Sequence, residues 1–81
     1  MYFVYVLLCS DQSLYTGISP DPQRRFLAHI KGKGGAYTRS HKPIKIVHLE
    51  KYPDKSSALK REAEIKSWSK QNKIRRLKLN F

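Results

Sequence analysis

The stretch Tyr2-Phe3-Val4-Tyr5-Val6-Leu7-Leu8-Cys9, followed by the polar residues 10–13 and by Leu14-Tyr15-Thr16-Gly17-Ile18, decides the fold of this 81-residue chain. The first run is continuously apolar and rich in aromatic and β-branched residues, which predicts a strand covered on both faces at the centre of a sheet. The polar residues predict a turn and the second run predicts a short partner strand. Together they predict a β-hairpin.

A helix is predicted after the hairpin. Asp21 and Pro22 mark its start, because an aspartate accepts from free N–H groups and a proline fits the first helical position. The helix is expected to run to about Lys31 and to end at Gly32. The apolar stripe that packs on the sheet is expected at Phe26, Leu27 and Ile30.

One more strand and two more helices complete the predicted order. The strand follows Pro43 and spans residues 44–50. A helix capped by Asp54 or Ser56 continues through an apolar set, and residues 70–78 carry a second helical pattern. The order predicts one α/β (α+β) domain over residues 1–81, a small sandwich with a central three-stranded antiparallel sheet flanked by helices. The apolar set is Ala58, Leu59, Ile65 and Trp68.

Residues 32–41 form a glycine-rich, basic connector. It lacks the Gly-Lys-Ser/Thr spacing of a phosphate-binding P-loop. Two interpretations stay open. One is a flexible loop with a short helical turn near Ala36–Arg39, and the other is a segment that contacts phosphates.

The charge of the chain is large and unevenly distributed. Seventeen Lys and Arg stand against six Asp and Glu, for a formal net charge of +11. Residues 1–23 carry −2, whereas residues 24–81 carry +13. This excess is more than solubility requires. It favours a polyanionic partner, with nucleic acid ahead of an anionic membrane surface.

Cys9 is the only cysteine, so the sequence excludes an internal disulfide and a CxxC metal or redox site. At the end of an apolar run it is expected to be a small buried hydrophobe. Residues 1–8 are too short for a membrane span and lack the basic start of a signal peptide. We therefore expect a soluble, cytoplasmic protein.

Helical phase selects candidate site residues on the first helix. Arg25 and His29 are four residues apart, so they project from the same side, at the edge of the apolar stripe. Residues at that edge can face a cleft beside the core, whereas Arg24 is expected to point to solvent. The competing interpretation is an Arg–His pair on a solvated helix face.

The same argument distinguishes two glutamates on the next helix. Glu62 falls within the arc that Ala58, Leu59 and Ile65 define, whereas Glu64 falls outside it. A carboxylate on the buried face needs a partner, because leaving it unpaired there is costly. Periodicity leaves open whether that partner is a divalent metal or a basic side chain, and ion pairs are the commoner case.

Together these residues resemble a known family. Val4-Tyr5-Val6 stands where the GIY-YIG nuclease family has its first motif, and Tyr15-Thr16-Gly17 stands where it has Tyr-Ile-Gly. Residues 15–29 follow the family's continuation almost position by position, and residues 58–66 resemble its later helix, whose glutamate binds metal. The resemblance covers nearly the whole chain and is closest to the small bacterial, UPF0213-like members. Two departures are Phe3-Val4-Tyr5 for Gly-Ile-Tyr and Thr16 for Ile.

The resemblance implies a metal-dependent endonuclease that hydrolyses DNA phosphodiester bonds. Glu62 would hold one Mg²⁺ (or Mn²⁺) ion, and Arg25 would bind the scissile phosphate. Tyr15 would act as general base, and Tyr5 would orient the attacking water or Tyr15. His29 would assist proton transfer or contact the phosphate. Nucleic-acid contacts are implied for Gly17, Lys31, Lys33, Arg39 and Lys66.

The alternative is a nucleic-acid-binding module with the same fold and little or no cleavage, because the basic surface supports both functions. The set of Tyr15, Arg25, His29 and Glu62 favours the enzyme. A structural domain on an anionic membrane is disfavoured, since the last helix has few bulky apolar residues. Without a separate DNA-binding domain, three options stay open: low specificity, selection of branched or flapped structures in repair or recombination, or specificity that a protein partner supplies.

Overall fold

The strand order of the sheet follows from the apolar run at the start of the chain. In the computed structural model, which describes residues 1–33, 37 and 40–81, β1 (Tyr2–Cys9) lies between β2 (Leu14–Ser19) and β3 (Pro43–Tyr52). Both neighbours are antiparallel to β1. Residues 4–9 are all buried, because β1 is covered on both faces. The predicted central strand is therefore confirmed, and β3 extends two residues beyond its predicted end.

The described residues form three helices, α1 (Pro22–Ile30), α2 (Lys55–Lys66) and α3 (Lys70–Arg76). Asp21 and Asp54 each accept from the backbone N–H three residues on, which confirms both predicted caps. Gly32 has φ of 76°, in the left-handed region that favours glycine after a helix. α2 ends before Trp68, because Ser69 already caps α3. No helix in the described part of the chain is long and apolar enough to cross a membrane.

The sheet separates two layers of different character. Alternate side chains of a strand face opposite sides. On one side, Val4 and Val6 of β1 pack with Ala58 and Ile65 of α2 in the main apolar core, and side chains from β3, Trp68 and α3 close its rim. On the other side, Tyr5 faces α1. The candidate site lies in this second, more polar layer.

The face by which α1 packs on the sheet differs from the predicted stripe. Leu27 is 55% exposed and Ile30 is 43% exposed, whereas Pro22 and His29 are buried. Tyr5 offers His29 a hydrogen bond in this layer, which an apolar side chain could not use. The prediction of Leu27 and Ile30 as packing residues is therefore wrong.

The segment after α1 returns to the hairpin. The helical turn predicted near residues 36–39 lies outside the described residues except for Tyr37, whose carbonyl accepts from the N–H of His41 at 2.9 Å. The N–H of Ser10, in the β1–β2 turn, donates to the carbonyl of Lys42 at 2.8 Å. This bond holds the start of β3 against the hairpin turn.

Cys9 is buried at the end of β1, as expected. Burial raises the pKa of its thiol, so the reactive thiolate is disfavoured. Cys9 therefore acts as a small apolar side chain.

Candidate active site

Tyr5 and His29 form the buried centre of the candidate site. The Tyr5 hydroxyl oxygen and His29 Nε2 are 3.0 Å apart, and each residue is 1% exposed. Arg25, one turn before His29 on α1, lies near enough to the Tyr5 hydroxyl to act against the rise in its pKa. Because a guanidinium can only donate, the hydroxyl hydrogen of Tyr5 is available to His29 Nε2. Arg25 and His29 thus act on the same group, as their spacing on the helix predicts.

Burial controls the protonation of this centre. Burial, and after it the neighbouring Tyr15, raises the pKa of Tyr5 to about 12. Burial, and after it the charge of Arg25, lowers the pKa of His29 below its ordinary value of 6.5. Near pH 7 both groups are therefore neutral, and the imidazole can accept from the phenol. Tyr5 is consequently a poor base and a good orienting group.

Tyr15 lies beside this pair and is only half-buried. Its ring centroid is 6.4 Å from that of Tyr5 and 5.3 Å from that of His29, which it meets edge-on. In the register of the hairpin, Tyr15 is opposite Leu7 and Gly17 is opposite Tyr5, so these residues share one face of the sheet. Tyr15 is the more accessible of the two tyrosines that the motifs contribute.

Gly17 leaves the space that the Tyr5 ring fills. A Cβ at position 17 would lie 2.5 Å from the Tyr5 hydroxyl oxygen and 2.7 Å from the ring carbon that carries it. The glycine therefore has a role within the protein, because any larger residue would displace Tyr5. Its predicted contact with nucleic acid stays a prediction.

A groove of about 250 Å³ opens beside Arg25 at the start of α1. Arg24 is exposed, as predicted, but it lines this groove together with Arg25 rather than pointing away from it. A second groove, farther along α1, shares Arg24 with the first and also includes Lys31 and Lys33. Arg24 thus lines both grooves, with Arg25 in the first and with Lys31 and Lys33 in the second. The first groove is lined by Ser19, Pro20, Asp21, Arg24, Arg25 and Ala28.

Glu62 lies on the packed face of α2, between the buried Ala58 and Ile65. Its side chain is 17% exposed, against 56% for Glu64, which confirms the assignment from helical phase. Leu59, expected in the same arc, is exposed instead. The charge of Glu62 is a minor cause of the raised pKa of Tyr5, after burial and Tyr15.

Lys66 is the partner that the described residues provide for Glu62, with Nζ 3.3 Å from the carboxylate. Lys66 is largely exposed, and ion pairs of this type contribute little to stability, so the pair can open. Three or more acidic, histidine or cysteine side chains do not cluster anywhere in the described ranges. A single carboxylate nevertheless fits Mg²⁺, which retains water ligands and adds one or two carboxylates and substrate phosphates.

Tyr37 and His41 extend the cluster toward solvent and were not candidates from the sequence. The Tyr37 ring stacks on Tyr15 with centroids 5.4 Å apart and on His41 with centroids 4.1 Å apart. His41 Nδ1 also pairs with the carboxylate of Asp11 in the β1–β2 turn. The four-residue spacing of Tyr37 and His41 was a visible signal, but the return of the connector to the hairpin was not. Arg39, predicted to contact nucleic acid, lies outside the described residues.

A second polar cluster joins β3 to α2 and is separate from the candidate site. Arg61 donates to both oxygens of Glu50, and Tyr52 and His48 are hydrogen-bonded to the same carboxylate. Burial alone would raise the pKa of Glu50, but these hydrogen bonds outweigh it and lower the pKa to about 2. The carboxylate is engaged on both oxygens, so we assign this cluster to structure.

The strand pair with its two tyrosines, the Arg–His helix and the glutamate of α2 define a class of protein. A family model described as the GIY-YIG catalytic domain matches residues 1–75. The chain therefore belongs to the GIY-YIG family, as the resemblance of its motifs predicts.

Relatives of similar length include UPF0213 proteins. Two from Staphylococcus aureus, strains Mu3 and N315, are 47% identical over 77 residues, which cover 95% of this chain and 94% of theirs. The solution structure of a UPF0213 protein from Bacillus halodurans is 38% identical with a TM-score of 0.61, covering 96% of this chain and 84% of that one. The solution structure of an E. faecalis protein is 39% identical with a TM-score of 0.65, covering 95% and 82%. These similarities confirm the α+β fold over nearly its whole length.

Proposed function

We propose that the protein is a metal-dependent endonuclease of the cytoplasm that hydrolyses phosphodiester bonds in DNA and selects branched or flapped structures. The observation that carries this proposal is the convergence of Tyr5, Tyr15, Arg25 and His29 beside an open groove, together with the partly buried carboxylate of Glu62 on α2. Membership of the GIY-YIG family implies a nucleic-acid substrate. The net charge of +11 supports a polyanionic one.

Arg25 would bind the scissile phosphate. Its side chain lines the groove and lies near Tyr5, so the guanidinium is at the boundary between the cluster and solvent. A guanidinium matches phosphate oxygens with two parallel hydrogen bonds. In this position it would stabilise the negative charge that increases on those oxygens in the transition state.

Tyr15 would act as the general base that deprotonates the attacking water. It is the more accessible tyrosine of the pair, and it lies beside the buried Tyr5 and His29. Tyr5 is excluded from this role near neutral pH by its raised pKa of about 12. Tyr5 would instead orient the neighbouring groups, and His29, held neutral, would assist proton transfer.

Glu62 would hold one Mg²⁺ or Mn²⁺ ion, as its partly buried single carboxylate permits. When bound, the ion would supply positive charge to the phosphate and lower the pKa of a water molecule. Lys66 would then be released to contact the nucleic-acid backbone. Lys31 and Lys33 in the second groove would contact phosphates away from the cut, and we extend this role to Arg39 and to the backbone at Gly17.

The test is cleavage of labelled single-stranded, duplex, flapped and branched DNA with Mg²⁺, Mn²⁺ or EDTA. Glu62→Gln should abolish cleavage, whereas Glu64→Gln, two residues away on the exposed side of α2, should cut normally. Arg25→Ala should lower kcat by about 100-fold, as loss of a transition-state contact does. Arg24→Ala, at the neighbouring position in the groove, should raise KM instead. Cleavage that persists in EDTA or in Glu62→Gln would overturn the proposal.

A nucleic-acid-binding module without cleavage is the second candidate, and the pairing of Glu62 with Lys66 favours it, because that carboxylate already has a partner. It predicts binding to the same DNAs with no cleavage on any of them. Both candidates require affinity that falls steeply between low and physiological salt, since phosphate contacts release counterions. Salt-independent binding would contradict both.

A further inference from the structure

Asp11 lies in the β1–β2 turn and has no role in the proposed chemistry. Both oxygens of its carboxylate nevertheless have partners within the protein. The Ser13 N–H donates to Oδ1 at 3.1 Å, and the Ser13 hydroxyl donates to the same oxygen at 2.6 Å. The second oxygen, Oδ2, pairs with His41 Nδ1. The two bonds from Ser13 therefore fix the orientation of the carboxylate. Its other oxygen, Oδ2, pairs with His41, which lies 30 positions later in the sequence.

A stack of rings connects His41 to Tyr15, so the position of His41 affects that of Tyr15. The rings of His41 and Tyr37 are 4.1 Å apart and inclined by 18°, and those of Tyr37 and Tyr15 are 5.4 Å apart and inclined by 27°. His29 meets Tyr15 edge-on from the other side of the contact, at 5.3 Å. Among the described residues, the Tyr15 ring thus has three aromatic neighbours, Tyr5, His29 and Tyr37, and the position of Tyr37 depends on Asp11 and His41.

The negative charge of Asp11 is suited to holding the His41 ring in place. Hydrogen bonds from Ser13, and after them the bond with His41, lower the pKa of Asp11 to about 2. The carboxylate is therefore ionised near neutral pH and always offers His41 Nδ1 an acceptor. A bond of this kind orients an imidazole ring. The backbone bond from Ser10 to Lys42 holds the two segments together at the same place.

We propose that Asp11 and His41 are positioning residues for Tyr15, and that they act through the ring of Tyr37. Neither is assigned a contact with phosphate, metal or the attacking water. The effect on catalysis rests on the proposed function of Tyr15, whereas the effect on the Tyr15 ring does not. Without the stack, Tyr15 loses the ring contact on its Tyr37 side and keeps those with Tyr5 and His29, so its hydroxyl is less well positioned.

The structural test is the aromatic NMR spectrum of the protein with ¹³C-labelled tyrosine, in which the Tyr15 signals are assigned with Tyr15→Phe. Asp11→Asn is the main variant, because an amide oxygen still accepts from Ser13 while the pairing with His41 is weakened. His41→Ala and Tyr37→Ala remove the later members of the stack. All three should shift the Tyr15 ring signals in the same direction, and Tyr37→Phe, which retains the ring, should leave them in place.

The controls are Asp54→Asn and His48→Ala. Asp54 accepts from the N–H of Ser57 just as Asp11 accepts from that of Ser13, and His48 pairs with Glu50, but neither contacts the stack. Both should leave the Tyr15 signals unchanged. Tyr15 signals in Asp11→Asn or His41→Ala that match the wild type would overturn the proposal, as would equal shifts in the control variants.

The kinetic test measures kcat and KM on the DNA that the wild type cuts best. Asp11→Asn, His41→Ala and Tyr37→Ala should lower kcat by about 10- to 100-fold with little change in KM, since a small misplacement of a reacting group has effects of this size. Tyr37→Phe, which retains the ring, should have the kcat of the wild type. A loss of activity in Tyr37→Phe equal to that in Tyr37→Ala contradicts the proposal. If the wild type cuts nothing, the proposed function fails, while the NMR result still decides the positioning role.

Discussion

The Tyr5 hydroxyl and His29 Nε2 lie 3.0 Å apart in a layer where both residues are 1% exposed, so each supplies the hydrogen-bond partner that the burial of the other requires. This pair joins the central strand to α1 across 24 positions of sequence. It also determines which side of α1 faces the sheet, and Leu27 and Ile30 are exposed as a result.

Tyr5→Phe should destabilise the domain by about 1 kcal/mol, because it removes the hydrogen bond between Tyr5 and His29 from a buried layer. Urea unfolding measures the difference. Tyr2→Phe is the matched control on the same strand, where the tyrosine is only half-buried, and it should change stability by less than about 0.5 kcal/mol. Equal stability of the two variants would mean that the hydrogen bond makes no net contribution to the free energy of unfolding.

Gly17→Ala should destabilise the fold by about 1–3 kcal/mol, because its Cβ would lie 2.5 Å from the Tyr5 hydroxyl oxygen and would force that ring to move. The displaced phenol would also lose its bond to His29. In a Tyr5→Phe background the nearest clashing atom is absent, so the same substitution should cost less. A double-mutant cycle by urea unfolding measures this coupling. Additive effects of the two substitutions would contradict the steric account.

The elements that the sequence predicted are those that depend on local chemistry. The continuous apolar run of β1 and the caps Asp21 and Asp54 needed no knowledge of distant contacts, and they are confirmed. Helical phase likewise placed Glu62 on the packed side of α2. Each of these features depends on residues that lie within a few positions of one another in the sequence.

The remaining features depend on contacts between distant segments. The packed side of α1 could not be predicted from apolar spacing, because the decisive partner of His29 is a tyrosine on another strand. The stack of Tyr37 on Tyr15 requires the connector to return to the hairpin, which is fixed by the bonds of Asp11 and Ser10. Spacing in the sequence contains no information on either contact.

Mild acid should weaken the fold through His29. Burial and the charge of Arg25 lower the pKa of His29 in the folded protein below 6.5. As the pH falls through that value, the unfolded chain binds a proton that the folded protein does not, so stability falls with pH. Above 6.5 the imidazole is neutral in both states and this loss is absent. Unfolding by urea from about pH 7 to about pH 5 measures the trend.

The comparison that isolates His29 uses His29→Gln and His48→Gln. The first removes the titrating group and should flatten the pH dependence, whereas the second leaves His29 in place and should retain it. An NMR titration of the His29 ring should give a midpoint below 6.5. A midpoint at or above that value would refute the sign of the effect.

Thr16→Val should stabilise the protein. Thr16 is 2% exposed, and its hydroxyl oxygen has no hydrogen-bond partner among the described residues. It lies opposite Val6 on the face of the sheet that packs against α2, where a methyl group is better suited than a hydroxyl. Removing a buried, unpaired hydroxyl while keeping the β-branched shape should increase stability by about 1 kcal/mol.

In a domain of this size, that increase corresponds to a rise in Tm of roughly 4–8 °C, which calorimetry resolves. Thr16→Ser is the control, because it retains the unpaired hydroxyl and deletes the methyl group that packs in the core, so it should lower Tm. The opposite order, with Val below the wild type, would show that the hydroxyl has a partner such as a buried water. In that case the hydroxyl would stabilise β2 through its partner, and its removal would lower the stability of the protein.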